Sequence, residues 1–185
     1  PADESKTLRF LGFKRCIPFD SVAYSLLEDE IASVFEREKI YTPSDFKGSF
    51  PTIQDKVNAK GWPYLKESLG KVIFILEGNN QKIYRNFKSP LMFYYGEEGD
   101  LNTAFLLRNN PEGNEGNIRR ASDRFMIRTR SDAGTEESRN NDYSRWKAAL
   151  KSNAQIISTD YYKADLRWSE YKVKFPQLHS VRDKN

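Results

Sequence analysis

The chain has 185 residues and a formal net charge of +4, and 14% of its residues are aromatic, which favours one folded domain over disorder. Its 30 basic and 26 acidic residues are intermixed without a long block of one sign, so no nucleic-acid-binding tail is predicted. No apolar run approaches the roughly 20 residues of a membrane-spanning helix, and one Cys with one His cannot form a tetrahedral zinc site.

The first half of the chain is predicted to form a connecting arm, a helix, a series of turns and a strand. Residues 1–18 are the arm, in which Cys16 is either a free thiol or a partner for a cysteine of another chain. Asp20 or Ser21 can cap the helix that follows. The apolar residues that mark the predicted buried face of this helix are Val22, Leu26, Leu27, Val34 and Phe35. Residues 71–76 form a continuous β-branched and apolar run, which is typical of a parallel strand covered on both faces.

The second half alternates predicted strands and helices. Strands are expected at 91–95, 124–128 and 156–159, and helices at 79–88, 100–107 and 118–121. Between the last two strands, a further helix has Trp146, Ala149 and Leu150 at the spacing of one buried face. The last two strands and this helix therefore predict a βαβ unit, the element from which parallel sheets are built.

Residues 163–185 are predicted to form an irregular tail. Trp168 and Tyr171 are expected to pack this tail against the rest of the chain. The one histidine, His179, lies in the last ten residues, where a solvated side chain is the expected state. No acid–base role is predicted for it.

Polar side chains lie at the carboxyl ends of the last two predicted strands, where α/β sheets and barrels place ligand sites. Those after the first strand are Arg128, Arg130 and Asp132, and those after the second are Thr159, Asp160 and Tyr161. Arginine offers a planar fork to phosphate oxygens and aspartate accepts hydrogen bonds from hydroxyls, so an anionic, hydroxyl-rich ligand is predicted. Arg128 and Arg130 would face the same side, provided that the strand reaches Arg130. The alternative, in which these charges cap helices and pair with each other, stays open for each residue.

An ordered set of sequence segments covers nearly the whole chain. In the C-terminal part these are IRTRSDAGTEESR, then Asn141, Asp142 and Arg145, then AAL and SNAQIISTDYY. Upstream they are PFD at 18–20, SVF at 33–35, TPSD at 42–45, GWP at 61–63, GKVIFIL at 70–76 and MF at 92–93. Taken in this order, the segments resemble the calcium-dependent phosphoinositide phospholipase C family.

The resemblance implies a TIM (β/α)8 barrel, of which this chain is the C-terminal half. Four strands are predicted here, whereas a closed barrel has eight strands and about 250 residues. A half barrel alone would leave two unpaired sheet edges, so a separate N-terminal-half chain is expected to complete it. Within a single unit, residues 19–162 would be the barrel half, between the arm and the tail. Because the family is known from secreted bacterial enzymes, an extracellular location is also expected.

The resemblance further implies cleavage of phosphatidylinositol to diacylglycerol and an inositol phosphate. An inositol hydroxyl attacks the phosphodiester, with histidines as general base and acid. A Ca2+ ion, held by carboxylates and an asparagine, stabilises the developing charge. The histidine pair and most Ca2+ ligands belong to the N-terminal half, so no metal ligand is assigned here and this chain alone is not expected to be catalytic.

The family also implies roles for the polar residues after the strands. Arg130 would hold a phosphate oxygen, while Asp132 and Asp160 would orient inositol hydroxyls or a catalytic histidine. The further candidates for substrate binding are Arg128, Thr159, Tyr161 and Glu77, the last standing where family members often carry Asp. The expected partners are the N-terminal-half chain and a phosphoinositide or other anionic ligand, with peripheral membrane contact. The alternatives are a catalytically inactive barrel with a binding or structural role, and a basic protein that binds phosphate groups or a membrane surface.

Overall fold

The computed structural model describes residues 19–78 and 81–174, and the chain divides into two compact units, Pro1–Tyr95 and Gly96–Asn185. The predicted connecting arm with Cys16 lies outside the described residues, and so does His179. Among the residues that the structure describes, no helix has the length and apolar character needed to cross a membrane.

Helices are the main regular elements of the first unit within residues 19–78 and 81–95. They are α1 (Ser21–Val34), α2 (Pro43–Lys47), α3 (Ile53–Lys60), α4 (Leu65–Ser68) and α5 (Gln81–Tyr84), with a 3-10 helix at Arg37–Lys39. The Asp20 carboxylate caps α1 by accepting a hydrogen bond from Ala23 N at 2.9 Å, as predicted. Thr42 and Asp45 form a capping box at α2, in which the side chain of each accepts a hydrogen bond from the backbone N–H of the other.

The buried face of α1 differs from the predicted face. Tyr24 and Ile31 are buried and Leu27 is partly buried, in line along one side of the helix. The predicted core residues that prove to be exposed are Val22, Leu26 and Val34. Two apolar stripes run along this helix, and the Tyr24 ring packs against the Tyr84 ring of α5 with 5.3 Å between centroids. Tertiary packing therefore selects the stripe that contains Tyr24.

In the described part of the first unit, two parallel strands lie on either side of α5 in the sequence. β1 (Ile75–Leu76) pairs with β2 (Phe93–Gly96), with Ile75 opposite Phe93 and Leu76 opposite Tyr94. An isolated parallel bridge joins Ile40 and Val72. The predicted strand at 71–76 is thus regular only in its last two residues.

A buried polar junction fixes α1, α5 and the segment that leads into β2. The Tyr84 side chain is fully buried, and its hydroxyl donates to the Glu28 carboxylate and accepts from Met92 N at 2.9 Å. Leu91 N donates to the same carboxylate at 2.7 Å. Burial, and after it the hydrogen bond to the Glu28 carboxylate, raises the pKa of Tyr84 well above the usual value for a tyrosine.

Within residues 96–174, the second unit contains three parallel strands and three helices. In chain order they are β3 (Phe105–Leu107), α6 (Glu115–Ala121), β4 (Met126–Arg130), α7 (Glu136–Asn140), α8 (Ser144–Lys151) and β5 (Ile156–Ser158). β4 pairs with β3 through Ile127 opposite Leu106, and with β5 through Thr129 opposite Ile157. Because β4 and β5 are parallel and joined by helices, the predicted βαβ unit is confirmed.

The predicted helix at 100–107 is wrong, because its last three residues form β3. Phe105, Leu106 and Leu107 are a short apolar run, and periodicity alone cannot assign such a run to a buried helix or a buried strand. Because these three residues pair with β4, they form a strand. In addition, a second helix, α7, precedes α8 between β4 and β5, where the sequence analysis predicts one helix.

The core of the second unit is built from its strands and helices around one apolar cluster. Its members are Leu106, Ile118, Ala121, Phe125, Ile127 and Ala154. The Gln155 amide links this cluster to β5, because its Oε1 accepts from Ile127 N at 2.9 Å and its Nε2 donates to Ser122 O at 2.9 Å. A rigid core thus lies directly beside the strands that carry the predicted ligand residues.

Candidate functional site

β4 carries two arginines toward its carboxyl end. The strand continues through Arg130, so Arg128 and Arg130 lie on the same face. Both are partly buried, and they alternate with the buried residues Ile127 and Thr129. Ile127 belongs to the core cluster, so the arginines occupy the face of β4 that is opposite to the core.

Asp132 joins the loop after β4 to the loop after β5. The residue is 3% exposed, and its Oδ2 accepts from Ser131 Oγ at 2.7 Å and from Thr159 Oγ1 at 2.6 Å. Its Oδ1 accepts from Asp160 N at 3.0 Å. Because a carboxylate has about four acceptor sites, most of the acceptor capacity of Asp132 is used inside the chain.

Further hydrogen bonds hold the same two loops together. Ser131 N donates to Ser158 O at 3.0 Å, which extends the strand pairing beyond β4. Thr159 Oγ1 accepts from Tyr161 N at 2.9 Å, and the Tyr161 hydroxyl donates to Gly134 O at 2.8 Å. The predicted residues in the last part of β4 and in the loops after β4 and β5 are therefore brought together at one edge. We call this the ligand edge, and its members are Arg128, Arg130, Asp132, Thr159, Asp160 and Tyr161.

Arg130 and Asp160 carry the available charges of the ligand edge. Within residues 19–78 and 81–174, neither the Arg130 guanidinium nor the Asp160 carboxylate makes a hydrogen bond or an ion pair. Arg130 is partly buried and Asp160 is exposed. Arg128 differs, because its guanidinium donates to Asn109 Oδ1 at 3.3 Å. A cation and an anion thus remain for a ligand at the ends of adjacent strands.

A partly buried group of ion pairs fixes the loop after β4. The Arg145 guanidinium contacts Glu137 Oε1 at 3.0 Å and Glu112 Oε2 at 3.2 Å. Glu137 Oε1 also accepts from Ala133 N at 3.2 Å. Arg145 is part of the sequence segments that resemble the family, and here its charge pairs within the chain rather than serving a ligand.

Three tyrosines pack beside the ligand edge. The Tyr143 and Tyr171 rings stack with 4.6 Å between centroids, and Tyr161 meets Tyr171 edge-on at 5.6 Å. Burial, followed by the charge of Asp132, raises the pKa of Tyr171 above the usual value for a tyrosine. The predicted packing of Tyr171 is confirmed by its 1% exposure, whereas Trp168 is 62% exposed and its ring contacts the Arg139 guanidinium, 4.8 Å from the ring centroid.

Ser131 is not among the predicted site residues, whereas Glu77 is one of them and lies in the other unit. Ser131 is a ligand-edge contributor that the sequence-based prediction missed, and its one signal is its place between Arg130 and Asp132. Glu77 follows β1 in the first unit and is exposed. Its role in substrate binding stays a prediction.

The described residues do not form a calcium site by themselves. Within residues 19–78 and 81–174, no group of three or more His, Cys, Asp or Glu side chains is placed to hold a metal ion. Ca2+ takes about six to eight oxygen ligands, and the buried Asp132 carboxylate already accepts three hydrogen bonds from the chain. No catalytic step is therefore assigned to a metal bound by these residues.

Comparison with known proteins assigns this chain to a family. The parallel strands and connecting helices of each unit fit part of a (β/α)8 barrel. The family described as Phosphoinositide phospholipase C, Ca2+-dependent, has a sequence model that matches residues 2–184. Searches of curated proteins and of solved structures found no match. Because the family match extends over nearly all of its length, the chain belongs to the Ca2+-dependent phosphoinositide phospholipase C family.

Proposed function

We propose that this chain is the C-terminal part of a barrel that cleaves phosphatidylinositol to diacylglycerol and an inositol phosphate. Family membership supports the reaction class. The observation that carries the proposal is the ligand edge, where the Arg130 and Asp160 side chains are unengaged within the described ranges. Arg130 is placed by its pairing with Ser158 of β5, and Asp160 by the hydrogen bond from its N–H to Asp132. A phosphodiester beside a hydroxyl-rich ring needs this combination of a cation and a hydrogen-bond acceptor.

Each residue of the ligand edge has a proposed role. Arg130 binds a phosphate oxygen with its guanidinium fork, and Asp160 accepts a hydrogen bond from an inositol hydroxyl. Asp132 positions both loops through three internal hydrogen bonds, and it has about one acceptor site left for a substrate hydroxyl or a catalytic histidine. Arg128, Thr159, Tyr161 and Glu77 remain proposed substrate-binding residues.

The N-terminal half of the barrel is the proposed partner for the chemistry. In this proposal it supplies the histidines that take the proton from the attacking hydroxyl and return one to the leaving group. It also supplies most of the oxygen ligands of Ca2+, since the described residues of this chain include no group of three or more His, Cys, Asp or Glu side chains placed to hold a metal ion. Whether that half is a separate chain, as the sequence predicts, is read from the masses in the purified enzyme. A secreted location is part of the same proposal.

Arg130→Gln is expected to lower kcat/KM for phosphatidylinositol about 10- to 100-fold, since it removes a charge-assisted contact to the phosphate. The assay uses the complete enzyme, including the N-terminal half, and follows release of inositol phosphate. Arg130→Lys should restore part of the loss, because it keeps the charge without the planar fork. Arg119→Gln on α6 is the matched control, because Arg119 donates to Lys151 O and is not part of the ligand edge.

Unchanged kcat/KM in Arg130→Gln would show that Arg130 does not bind the phosphate of the substrate. A complete enzyme that binds phosphatidylinositol but releases no product, under conditions where the chain is folded, would instead favour the alternative of an inactive, phospholipase-like binding barrel.

Peripheral membrane contact is proposed for the segment that follows the ligand edge. Tyr162 and Leu166 are each 79% exposed and Trp168 is 62% exposed. Lys163 lies between them, and Arg167 pairs with Asp165 at 2.6 Å. Exposed apolar side chains beside a lysine suit a bilayer surface that contains anionic lipids. We call these residues the post-β5 patch.

The double variant Leu166→Ala, Trp168→Ala is expected to weaken binding of the chain to phosphatidylglycerol-containing vesicles at least about 10-fold, since it removes two large apolar side chains. Vesicle co-sedimentation measures the effect. Leu101→Ala is the control, because Leu101 is also exposed but lies before β3. Equal vesicle binding by the double variant and the parent chain would exclude the post-β5 patch as the contact surface.

A further inference from the structure

A cavity of about 600 Å3 lies alongside α6 in the second unit. Its walls come from the end of β3 with the loop that follows, and from residues along α6 and just beyond it. We call it the α6 cavity. Its lining shares no residue with the ligand edge, so the proposed function does not account for it. The volume lies within the usual range for small-molecule sites, which is about 300–1,000 Å3, and it exceeds what a single inorganic phosphate would fill.

The asparagines of the α6 cavity are oriented to present hydrogen-bond donors. The side-chain oxygens of three of them each accept a hydrogen bond from an arginine. These pairs are Asn109 with Arg128 at 3.3 Å, Asn110 with Arg145 at 3.0 Å, and Asn117 with Arg120. Since the oxygens are engaged, the Nδ2 groups of Asn109, Asn110 and Asn117 remain as donors, and none of them has an acceptor within residues 19–78 and 81–174.

The charges of the lining are mainly positive. It includes Arg108, Arg120 and Arg124 against one carboxylate, Glu98. Glu98 pairs with Arg108 at 3.2 Å. Within the described ranges, the Arg120 guanidinium has no carboxylate partner, and its one side-chain contact is Asn117 Oδ1. A lining of amide donors and guanidinium groups satisfies a ligand that is anionic and rich in acceptor oxygens.

We propose that the α6 cavity binds a small polyanion with more than one phosphate group. Arg120 and Asn117 of α6 donate hydrogen bonds to the ligand, and so do Asn109 and Asn110 of the loop after β3. The phosphate groups can belong to a soluble compound or to the headgroup of a phosphorylated lipid, because both present the same oxygens. This site is additional to the ligand edge and does not depend on the proposed phospholipase activity.

Calorimetric titration of the 185-residue chain with tripolyphosphate tests the proposal at physiological ionic strength. We expect saturable binding, and a dissociation constant about 10-fold higher in Arg120→Gln, because one charge-assisted contact is lost. Asn117→Asp should weaken binding at least as much, since it replaces an amide donor with an anionic acceptor of the same shape. Arg119→Gln is the matched control, because it removes the same charge from the adjacent position of α6 without touching the lining. Thermal unfolding verifies that each variant is folded.

A parallel series with phosphatidylcholine vesicles, with and without phosphatidylinositol bisphosphate, separates the two sources of phosphate. Loss of vesicle binding in Arg120→Gln but not in Arg119→Gln supports a lipid headgroup, and the same pattern with tripolyphosphate alone supports a soluble ligand. The proposal is overturned if neither probe binds the parent chain. It is also overturned if Arg119→Gln and Arg120→Gln weaken binding equally, because the attraction is then general and not located in the α6 cavity.

Discussion

Replacing Asp132 with alanine is expected to lower the free energy of unfolding by about 3 kcal/mol, because it removes a buried acceptor of three hydrogen bonds. Ser131 Oγ, Thr159 Oγ1 and Asp160 N all donate to this carboxylate. Without it, their polar atoms stay in a poorly solvated place with too few partners. Urea denaturation followed by circular dichroism measures the change.

Asp132→Asn is expected to lower the free energy of unfolding less than Asp132→Ala does, by about 1–2 kcal/mol. Its amide oxygen can still accept from Asp160 N, and its NH2 group can donate to hydroxyls that turn to accept. Asp123→Ala is the control, since Asp123 is exposed and makes no side-chain hydrogen bond within the described residues. If Asp132→Ala and Asp123→Ala proved equally stable, the three hydrogen bonds would not hold the two loops together in solution.

The same variants distinguish positioning from a direct role in the reaction. In the complete enzyme, Asp132→Asn keeps one connection between the loops, so a positioning residue should retain more activity as asparagine than as alanine. A residue that must be an anion beside a catalytic histidine should lose activity equally in both variants. The ratio of kcat/KM between Asp132→Asn and Asp132→Ala is the deciding measurement.

Tyr84→Phe is expected to lower the free energy of unfolding by about 2–3 kcal/mol. The ring fits unchanged, but the Glu28 carboxylate loses a donor and Met92 N loses its acceptor in a buried place. Tyr162→Phe is the control, because the Tyr162 side chain is 79% exposed. A loss in Tyr84→Phe no larger than in this control would show that the junction between α1 and α5 is held by apolar packing alone.

The destabilisation caused by Tyr84→Phe should become smaller at alkaline pH. Burial, followed by the Glu28 carboxylate, raises the pKa of folded Tyr84, whereas the unfolded side chain titrates near about 10. The stabilisation is therefore complete below about pH 10 and declines as the pH rises above it, because only the unfolded chain then releases the proton. Urea denaturation of both proteins from neutral pH to about pH 11 should show their difference shrinking at the alkaline end.

Several elements of the fold follow from local patterns. The apolar run within residues 124–128 predicts β4, which in the structure spans Met126–Arg130, and the helical spacing of Trp146 and Ala149 predicts α8. The place of Arg130 and Asp160 at the carboxyl ends of parallel strands also follows from the sequence, since connected parallel strands end at the same edge.

Other features of the fold depend on tertiary contacts. Phe105 to Leu107 is compatible with helix or strand, and its partner in β4 makes it a strand. Likewise, α1 has two apolar stripes, and packing against Tyr84 buries the one with Tyr24.

The difference in burial between Asp132 and Asp160 of the ligand edge also depends on tertiary contacts. Locally, Asp132 and Asp160 each follow a strand and a hydroxyl residue, so the sequence by itself determined that both carboxylates stand beyond strand ends. Only the tertiary structure made Asp132 the buried acceptor and left Asp160 exposed, because two of the donors to Asp132 come from residues 27 and 28 positions away along the chain. A hydrogen bond between distant segments depends on where the whole fold brings them, and no local pattern carries that information.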